Sequence, residues 1–176
     1  YNQPQTTTLT ITIFGGDSGV EINGINGQGP DLIVDEDDLP QGSDQNDSTT
    51  DTGTFTVVAP DGIDTVTIGG HLIINNGVLV NSSFNTALGN TFEVTNYDAG
   101  SGIISYQYTL NINTTTHNGS IEDNSVTENF DVILTDTDND STATDGIDSF
   151  ETITVAIVDD IPSGDVATYD LDEGES

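Results

Sequence analysis

Residues 103–112 read IISYQYTLNI, and from Ile104 onward every second side chain is apolar or aromatic. In an extended chain such residues share one face, and the polar residues between them share the other. The same period of two occurs at 9–13, 130–134 and 153–157, and no segment has a convincing helical period of 3.6. This pattern is typical of half-buried antiparallel strands.

Shorter apolar runs and frequent turn residues complete the pattern. The segment INNGVLV contains Asn76-Gly77, a pair that favours two-residue turns, and it predicts a tight hairpin. Together the runs predict about eight or nine short strands, as in a β-sandwich. We therefore predict an all-β fold, an immunoglobulin-like or cadherin-like antiparallel β-sandwich. The shorter runs are 54–58, 65–68, 71–74, 78–80 and 92–97.

The charge of the chain is entirely negative. It has no Lys or Arg and 31 Asp or Glu, which gives a formal net charge of -31. No carboxylate can pair with Lys or Arg within the chain, so mutual repulsion destabilises the compact state unless cations collect. The charge argues against nucleic acid as a partner and against an anionic membrane surface. No apolar run is long enough to insert into a membrane.

The densest acidic segment is LTDTDNDSTATDGID, residues 134–148. Asp136, Asp138 and Asp140 alternate, so in an extended or turning loop their carboxylates can point at one centre. Calcium takes roughly six to eight oxygen ligands, and Asp presents them on a short side chain. The spacing does not fit an EF-hand, which needs Gly at its sixth position and Glu at its twelfth. The chain also has no Cys and can form no disulfides. We therefore predict that bound Ca²⁺ stabilises the fold instead.

Two further acidic clusters lie outside this segment. Asp35, Glu36 and Asp37 form one of them, and Asp159 and Asp160 end the last predicted strand. Because strand ends can meet at one pole of a sandwich, we expect both clusters to lie beside the densest acidic loop. They would then supply additional oxygen ligands for calcium.

A repeated tetrapeptide adds two more acidic segments. The sequence DGID occurs at 61–64 and again at 145–148. Asp and Gly are turn residues, so we interpret both copies as plain turns. A second tier of calcium ligands is the alternative.

A longer internal similarity indicates tandem organisation. The segment LTITIFGGDSG at 9–19 aligns with ITVAIVDDIPSG at 153–164, so we expect the chain to contain parts of two successive copies of one repeat, with a chance match between two β-rich, Asp-rich segments as the alternative. On this basis the chain divides into three parts. They are a lead-in strand and linker at 1–30, a sandwich module at 31–160, and a linker into the next module at 161–176.

Three motifs in this order carry a family resemblance: VDEDDLPQGSD at 34–44, LTDTDNDS at 134–141 and ITVAIVDDIPS at 153–163. The chain resembles the tandem repeat modules of giant bacterial RTX adhesins, which are exported by type I secretion. The resemblance implies immunoglobulin-like modules joined end to end, with calcium near the junctions stiffening a rod. That rod would hold an adhesive tip away from the cell surface during adhesion and biofilm formation.

The resemblance also implies an extracellular location, and its expected partners are calcium ions and neighbouring modules of the same chain. Asn139 stands where the family has Gly in the acidic hairpin, and Asn tolerates a left-handed turn. The calcium ligands implied by position are Asp35, Glu36, Asp37, Asp136, Asp138, Asp140, Asp159 and Asp160.

The leading hypothesis is thus a non-enzymatic, calcium-stabilised extender module. A module of the same adhesin that binds a glycan or a neighbouring cell is the second hypothesis. A halophilic secreted domain whose charge only holds hydration is the third. The string GDSG at 16–19 occurs around the nucleophile of trypsin-like proteases, but His71 and His117 both follow it, the reverse of the order in that family.

Overall fold

The computed structural model describes residue 11 and residues 18–114, 125–143 and 151–160. Most of the predicted strand at 9–13, the second DGID segment and the linker at 161–176 lie outside the described residues. The described part contains eleven strands and one short 3-10 helix. They are β1 (Glu21–Asn23), β2 (Leu32–Asp35), the 3-10 helix (Glu36–Asp38), β3 (Thr50–Val58), β4 (Ile63–Ile68), β5 (His71–Asn75), β6 (Val78–Leu79), β7 (Ser83–Asn85), β8 (Thr91–Asp98), β9 (Ile103–Thr109), β10 (Val126–Asp136) and β11 (Glu151–Val158).

The strands form two sheets that pack face to face. One sheet has the order β1-β3-β9-β8-β7, and the other has the order β2-β11-β10-β4-β5-β6. Neighbouring strands are antiparallel except β2 and β11, which run parallel. The prediction of an all-β sandwich is therefore confirmed.

The alternation of apolar and polar residues in the sequence indicates which side chains form the core. On β9, Ile104, Tyr106 and Tyr108 are buried, whereas the polar residues between them are only partly buried. The other long strands bury alternate residues in the same way, and their side chains join one apolar cluster between the sheets. Each fully buried large apolar side chain contributes roughly 1.5–3 kcal/mol. The alternation at Leu110 and Ile112 continues beyond β9, which ends at Thr109.

The hairpin predicted between β5 and β6 is confirmed. Asn76 and Gly77 both have positive φ, 49° and 69°, as a two-residue hairpin turn requires. The alternation did not predict β1, β2 or β7, because strands of four residues or fewer give too short a pattern. Val20 and Ile22 are buried in the core, so the end of the segment 1–30 packs into the sandwich.

One end of the sandwich, here called the proximal pole, collects the ends of β3 and β10. A short turn joins Val58, the last residue of β3, to Ile63, the first residue of β4. Ile63 pairs with Asp136 at the end of β10, so both sheets contribute to this pole. β1 begins there as well, because Glu21 pairs with Val58.

The opposite end, the distal pole, collects the ends of β2 and β11. These strands run parallel, and Asp35 pairs with Val158 at their last positions. β10 is antiparallel to β11, so it begins at this pole, where Val126 pairs with Ile157. Within the described residues, the first strand, β1, thus begins at the proximal pole, and the last strand, β11, ends at the distal pole.

This topology corrects one expectation from the sequence. The three acidic clusters do not meet at one pole, because β10 and β11 run in opposite directions. The loop that follows Asp136 lies at the proximal pole. The clusters around Asp35 and Asp159 lie together at the distal pole.

Candidate metal centre

At the proximal pole, β10 ends in a tight acidic turn. The pairing of β10 with β4 shifts register between Thr135 and Asp136, and a bridge between Thr135 and Ser141 closes the turn. The Asp136 N–H donates to the carbonyl of Asp140 at 3.0 Å. Asn139 adopts a positive φ of 78°, a left-handed conformation that Asn tolerates.

A second turn, between β3 and β4, lies against this one. Gly62 has φ 98° and donates its N–H to the carbonyl of Ala59 at 3.0 Å. Thr137 clamps the two turns together: its N–H donates to the carbonyl of Gly62 at 3.0 Å, and its hydroxyl donates to the carbonyl of Asp61 at 2.6 Å. The clamp fixes the backbone of Asp61 beside the acidic turn.

Three carboxylates converge between these turns. Oxygen atoms of Asp61, Asp136 and Asp138 all lie within 4.8 Å of one another. Asp61 and Asp138 are exposed, whereas Asp136 is only 1% exposed. The group is therefore buried on the side of Asp136 and open to solvent on the side of Asp61 and Asp138.

The Asp136 carboxylate is only half satisfied by the protein. Its Oδ1 atom accepts the N–H of Asp138 at 3.2 Å and the N–H of Asp140 at 2.9 Å. Its Oδ2 atom is buried and accepts no hydrogen bond from the residues that the structure describes. Burial, and then the adjacent Asp138 carboxylate, raise the pKa of Asp136 above its ordinary value. A buried carboxylate left in this way costs several kcal/mol in free energy, and a bound cation would remove much of that cost.

The group differs in one member from the alternating trio Asp136, Asp138 and Asp140, and it contains none of the other five predicted ligands, Asp35, Glu36, Asp37, Asp159 and Asp160. Asp136 and Asp138 are brought together as the alternation predicted, but the described cluster has Asp61 in place of the Asp140 carboxylate. Asp140 contributes its backbone N–H and carbonyl to the turn. The signal for Asp61 was present in the first DGID segment, where the Asp-Gly pair forms the expected turn. Only the pairing of β4 with β10 places that turn beside Asp136.

At the distal pole the acids are held by donors of the protein. Asp35 caps the 3-10 helix, and its Oδ1 atom accepts the N–H of Asp37 at 3.1 Å. Glu36 is 1% exposed, and its Oε1 atom accepts both the N–H and the hydroxyl of Thr114 at 2.6 Å. Asp38 accepts the N–H of Asp47 at 2.9 Å. Backbone and hydroxyl groups thus donate hydrogen bonds to Asp35, Glu36 and Asp38.

Asp160 joins the distal cluster from the end of β11. Its two carboxylate oxygens accept the N–H of Ser43 at 3.1 Å and the Ser43 hydroxyl at 2.5 Å. Asp159 is half-buried beside it. Burial, followed by the charges of Asp35 and Asp38, raises the pKa of Asp37 to about 6. Among the described residues, no three carboxylates at this pole converge as closely as those at the proximal pole.

The part of the chain that the structure describes contains no helix long and apolar enough to cross a membrane. Comparison with known proteins gives no match to any protein-family model, curated protein or solved structure.

Proposed function

We propose that this chain is a calcium-stabilised structural extender module, with an immunoglobulin-like fold, from a large bacterial surface adhesin. One observation carries the proposal: the buried Asp136 carboxylate has an oxygen without a donor among the described residues, and Asp61 and Asp138 lie beside it. A chain without Lys or Arg can neutralise such a group only with a proton or with a cation from solution.

The ligand chemistry favours calcium. Carboxylate oxygens suit hard cations, and the exposed side of the cluster leaves room for water to complete the coordination. Magnesium demands nearly ideal octahedral geometry, whereas calcium accepts irregular sets of oxygens. An irregular cluster drawn from two different turns is therefore better suited to Ca²⁺.

The position of the cluster explains how an ion would stiffen the module. Asp61 lies in the turn that connects the two sheets, and Asp136 and Asp138 lie at the end of β10. Without a cation the three charges repel one another, and the turns are held mainly by the Thr137 clamp. With Ca²⁺ bound, the turn between β3 and β4 would be fixed to β10, a central strand of its sheet. The binding energy of the ion would then stabilise the folded state by mass action.

The extender role is supported by the path of the chain and by the three sequence motifs. A chain that enters at one pole and leaves at the other lets successive modules stack end to end. The motifs at 34–44, 134–141 and 153–163 resemble those of RTX adhesin repeats, which supports export by type I secretion and a place in a rod on the cell surface. In that setting the neighbouring modules are the partners, and adhesion and biofilm formation are the biological roles.

Calcium concentration would separate the two states of such a module. Extracellular calcium sites typically bind at about 10⁻⁴–10⁻³ M, so millimolar external calcium would fill them. The much lower calcium inside a cell would leave the turns repelling one another and the chain loose during export.

Thermal unfolding tests the proposal directly. We expect the melting temperature of the fragment to rise by about 5–10 °C in calcium at one hundred times its Kd relative to EDTA, and by much less in magnesium or in sodium chloride of matched ionic strength. An equal rise in every salt would overturn the proposal. It would instead favour an acidic domain whose carboxylates only hold hydration.

A further inference from the structure

A groove of about 600 Å³ lies beside β7, the end strand of the five-stranded sheet. One wall is formed by Phe84 and Asn85 of β7 and the turn after them, and the other by the first residues of β10. His71, at the start of β5, closes one end and stacks on Phe84 with ring centroids 4.0 Å apart and an interplanar angle of 10°. The groove therefore has an aromatic wall that reaches the surface.

The groove also contains a carboxylate on the inward-facing side of β10. Glu128 faces the interior, on the same side of β10 as Phe130, and it is 7% exposed. Its Oε2 atom accepts the Tyr108 hydroxyl at 2.5 Å, and its Oε1 atom accepts the N–H of Leu88 at 3.1 Å. Both donors are neutral, so the described contacts hold the carboxylate in place without supplying a positive charge.

Among the described residues, the outer edge of β7 has no paired strand. β7 pairs only with β8 in the described sheet. Val94 donates its N–H to the carbonyl of Ser82, so Ser82 faces β8. Directions alternate along an antiparallel strand, so the N–H and carbonyl groups of Ser83 and Asn85 point away from β8. A further extended segment can add to this edge by β-augmentation.

We propose that this groove binds an extended peptide segment that carries a lysine or arginine, supplied by another protein. The backbone of the peptide would pair with the outer edge of β7. The aliphatic part of the basic side chain would cover Phe84 and His71, and its charged end would reach Glu128. Binding of this kind is separate from the calcium site, because Glu128 lies at the distal end of β10.

Charge complementarity selects a basic occupant from outside the chain. This chain has no Lys or Arg, so no second copy of it can place an ammonium or guanidinium side chain beside Glu128. An acidic segment would be repelled by the carboxylate and by the net charge of -31. A neutral segment could pair with β7 but would leave the charge of Glu128 uncompensated.

The probe is a blocked peptide in which one central lysine is flanked on each side by Thr-Val-Thr, with norleucine in place of lysine as the comparison. Titration calorimetry in calcium and about 0.15 M salt, which screens long-range attraction, gives the affinities. We expect the lysine peptide to bind at least tenfold more tightly than the norleucine peptide. Glu128→Gln should weaken binding of the lysine peptide at least fivefold. Asp131→Asn is an equal charge change on the exposed face of the same strand, and it should weaken this binding less than twofold.

Equal binding of the two peptides would overturn the proposal, as would an equal loss in Glu128→Gln and Asp131→Asn. Ser83→Pro gives a test that leaves the carboxylate intact, because it removes one outward N–H from β7. We expect this variant to lose at least fivefold in affinity for the lysine peptide, and unchanged affinity would rule out pairing with β7. Should Glu128→Gln fail to fold, the norleucine comparison and Ser83→Pro decide the question.

Discussion

Both poles of the sandwich collect carboxylates, but among the described residues three of them converge only at the proximal pole. At the distal pole, hydroxyls and backbone amides donate to the acids, as Thr114 does to Glu36 and Ser43 to Asp160. At the proximal pole, the Oδ2 atom of Asp136 has no donor among the described residues, and two more carboxylates face it. A high density of acids therefore does not by itself identify an ion site, whereas the convergence of several carboxylates around a buried one does.

The largest expected effect on stability is that of replacing Asp136 at the proximal pole. In EDTA, Asp136→Asn removes a buried charge, so we expect little loss of stability or a gain. In calcium we expect the variant to lose most of the stabilisation by the ion, about 2.7 kcal/mol at a concentration one hundred times the Kd. For a domain of this size the loss corresponds to about 5–10 °C in melting temperature.

Asp131→Asn is the matched control, because this exposed residue of β10 has the same charge and lies outside the cluster. It should keep the full response to calcium in a melting experiment. If Asp136→Asn also kept that response, the proximal cluster would not be the site of calcium binding.

The next largest effect is expected at the distal pole. Thr114→Val removes a hydroxyl that donates to the buried Glu36 carboxylate, and the loss should be about 1.5–3 kcal/mol. We expect the same loss in EDTA and in calcium when unfolding by urea is followed. A loss that disappears in calcium would mean that an ion also supports the distal acids, as the resemblance to RTX repeats predicts for Asp35, Glu36, Asp37, Asp159 and Asp160.

The dependence of stability on pH provides a test with a smaller expected effect, and it involves both poles. The folded chain raises the pKa of Asp37 from 3.8 to about 6 and also raises that of Asp136, so it holds these protons more tightly than the unfolded chain does. The contribution of each group to stability is therefore complete at low pH and is lost as the pH rises through the raised pKa. In EDTA we expect the melting temperature to rise by about 3–5 °C when the pH falls from 7 to 5.

In saturating calcium the same change of pH should produce a smaller rise or a fall, because protons compete with the ion for Asp136. Asp37→Asn should reduce the rise seen in EDTA, since it removes the group at the distal pole. A melting temperature in EDTA that falls steadily from pH 7 to 5 would contradict the raised pKa values.

The smallest effect is expected for Ser43→Ala. The Ser43 hydroxyl donates to Asp160 near the surface, where water can replace it, and the backbone N–H of Ser43 remains as a donor. We expect a loss of about 0.5–1 kcal/mol in chemical unfolding, independent of calcium. A loss that exceeds that of Thr114→Val would show that the end of β11 depends on this contact more than its exposure indicates.

The sequence predicted the long strands well, because period-two alternation directly reflects burial on one face of a sheet. It could not assign the acids to poles, since that depends on the directions of β10 and β11 rather than on local pattern. Asp136 and Asp138 were predictable as neighbours because only one residue, Thr137, separates them in the same turn. Asp61 was not, because its place in the cluster results from a strand pairing between distant parts of the chain.

The parallel pairing of β2 with β11 has a mechanical consequence. Tension on the two ends of the chain pulls β1, and then β2, toward the proximal pole, while it pulls β11 toward the distal pole. Because β2 and β11 lie side by side from Leu32 to Asp35, that pull slides one strand along the other and loads the hydrogen bonds between them together. Resistance to stretching would therefore be concentrated in a four-residue ladder next to the distal acids.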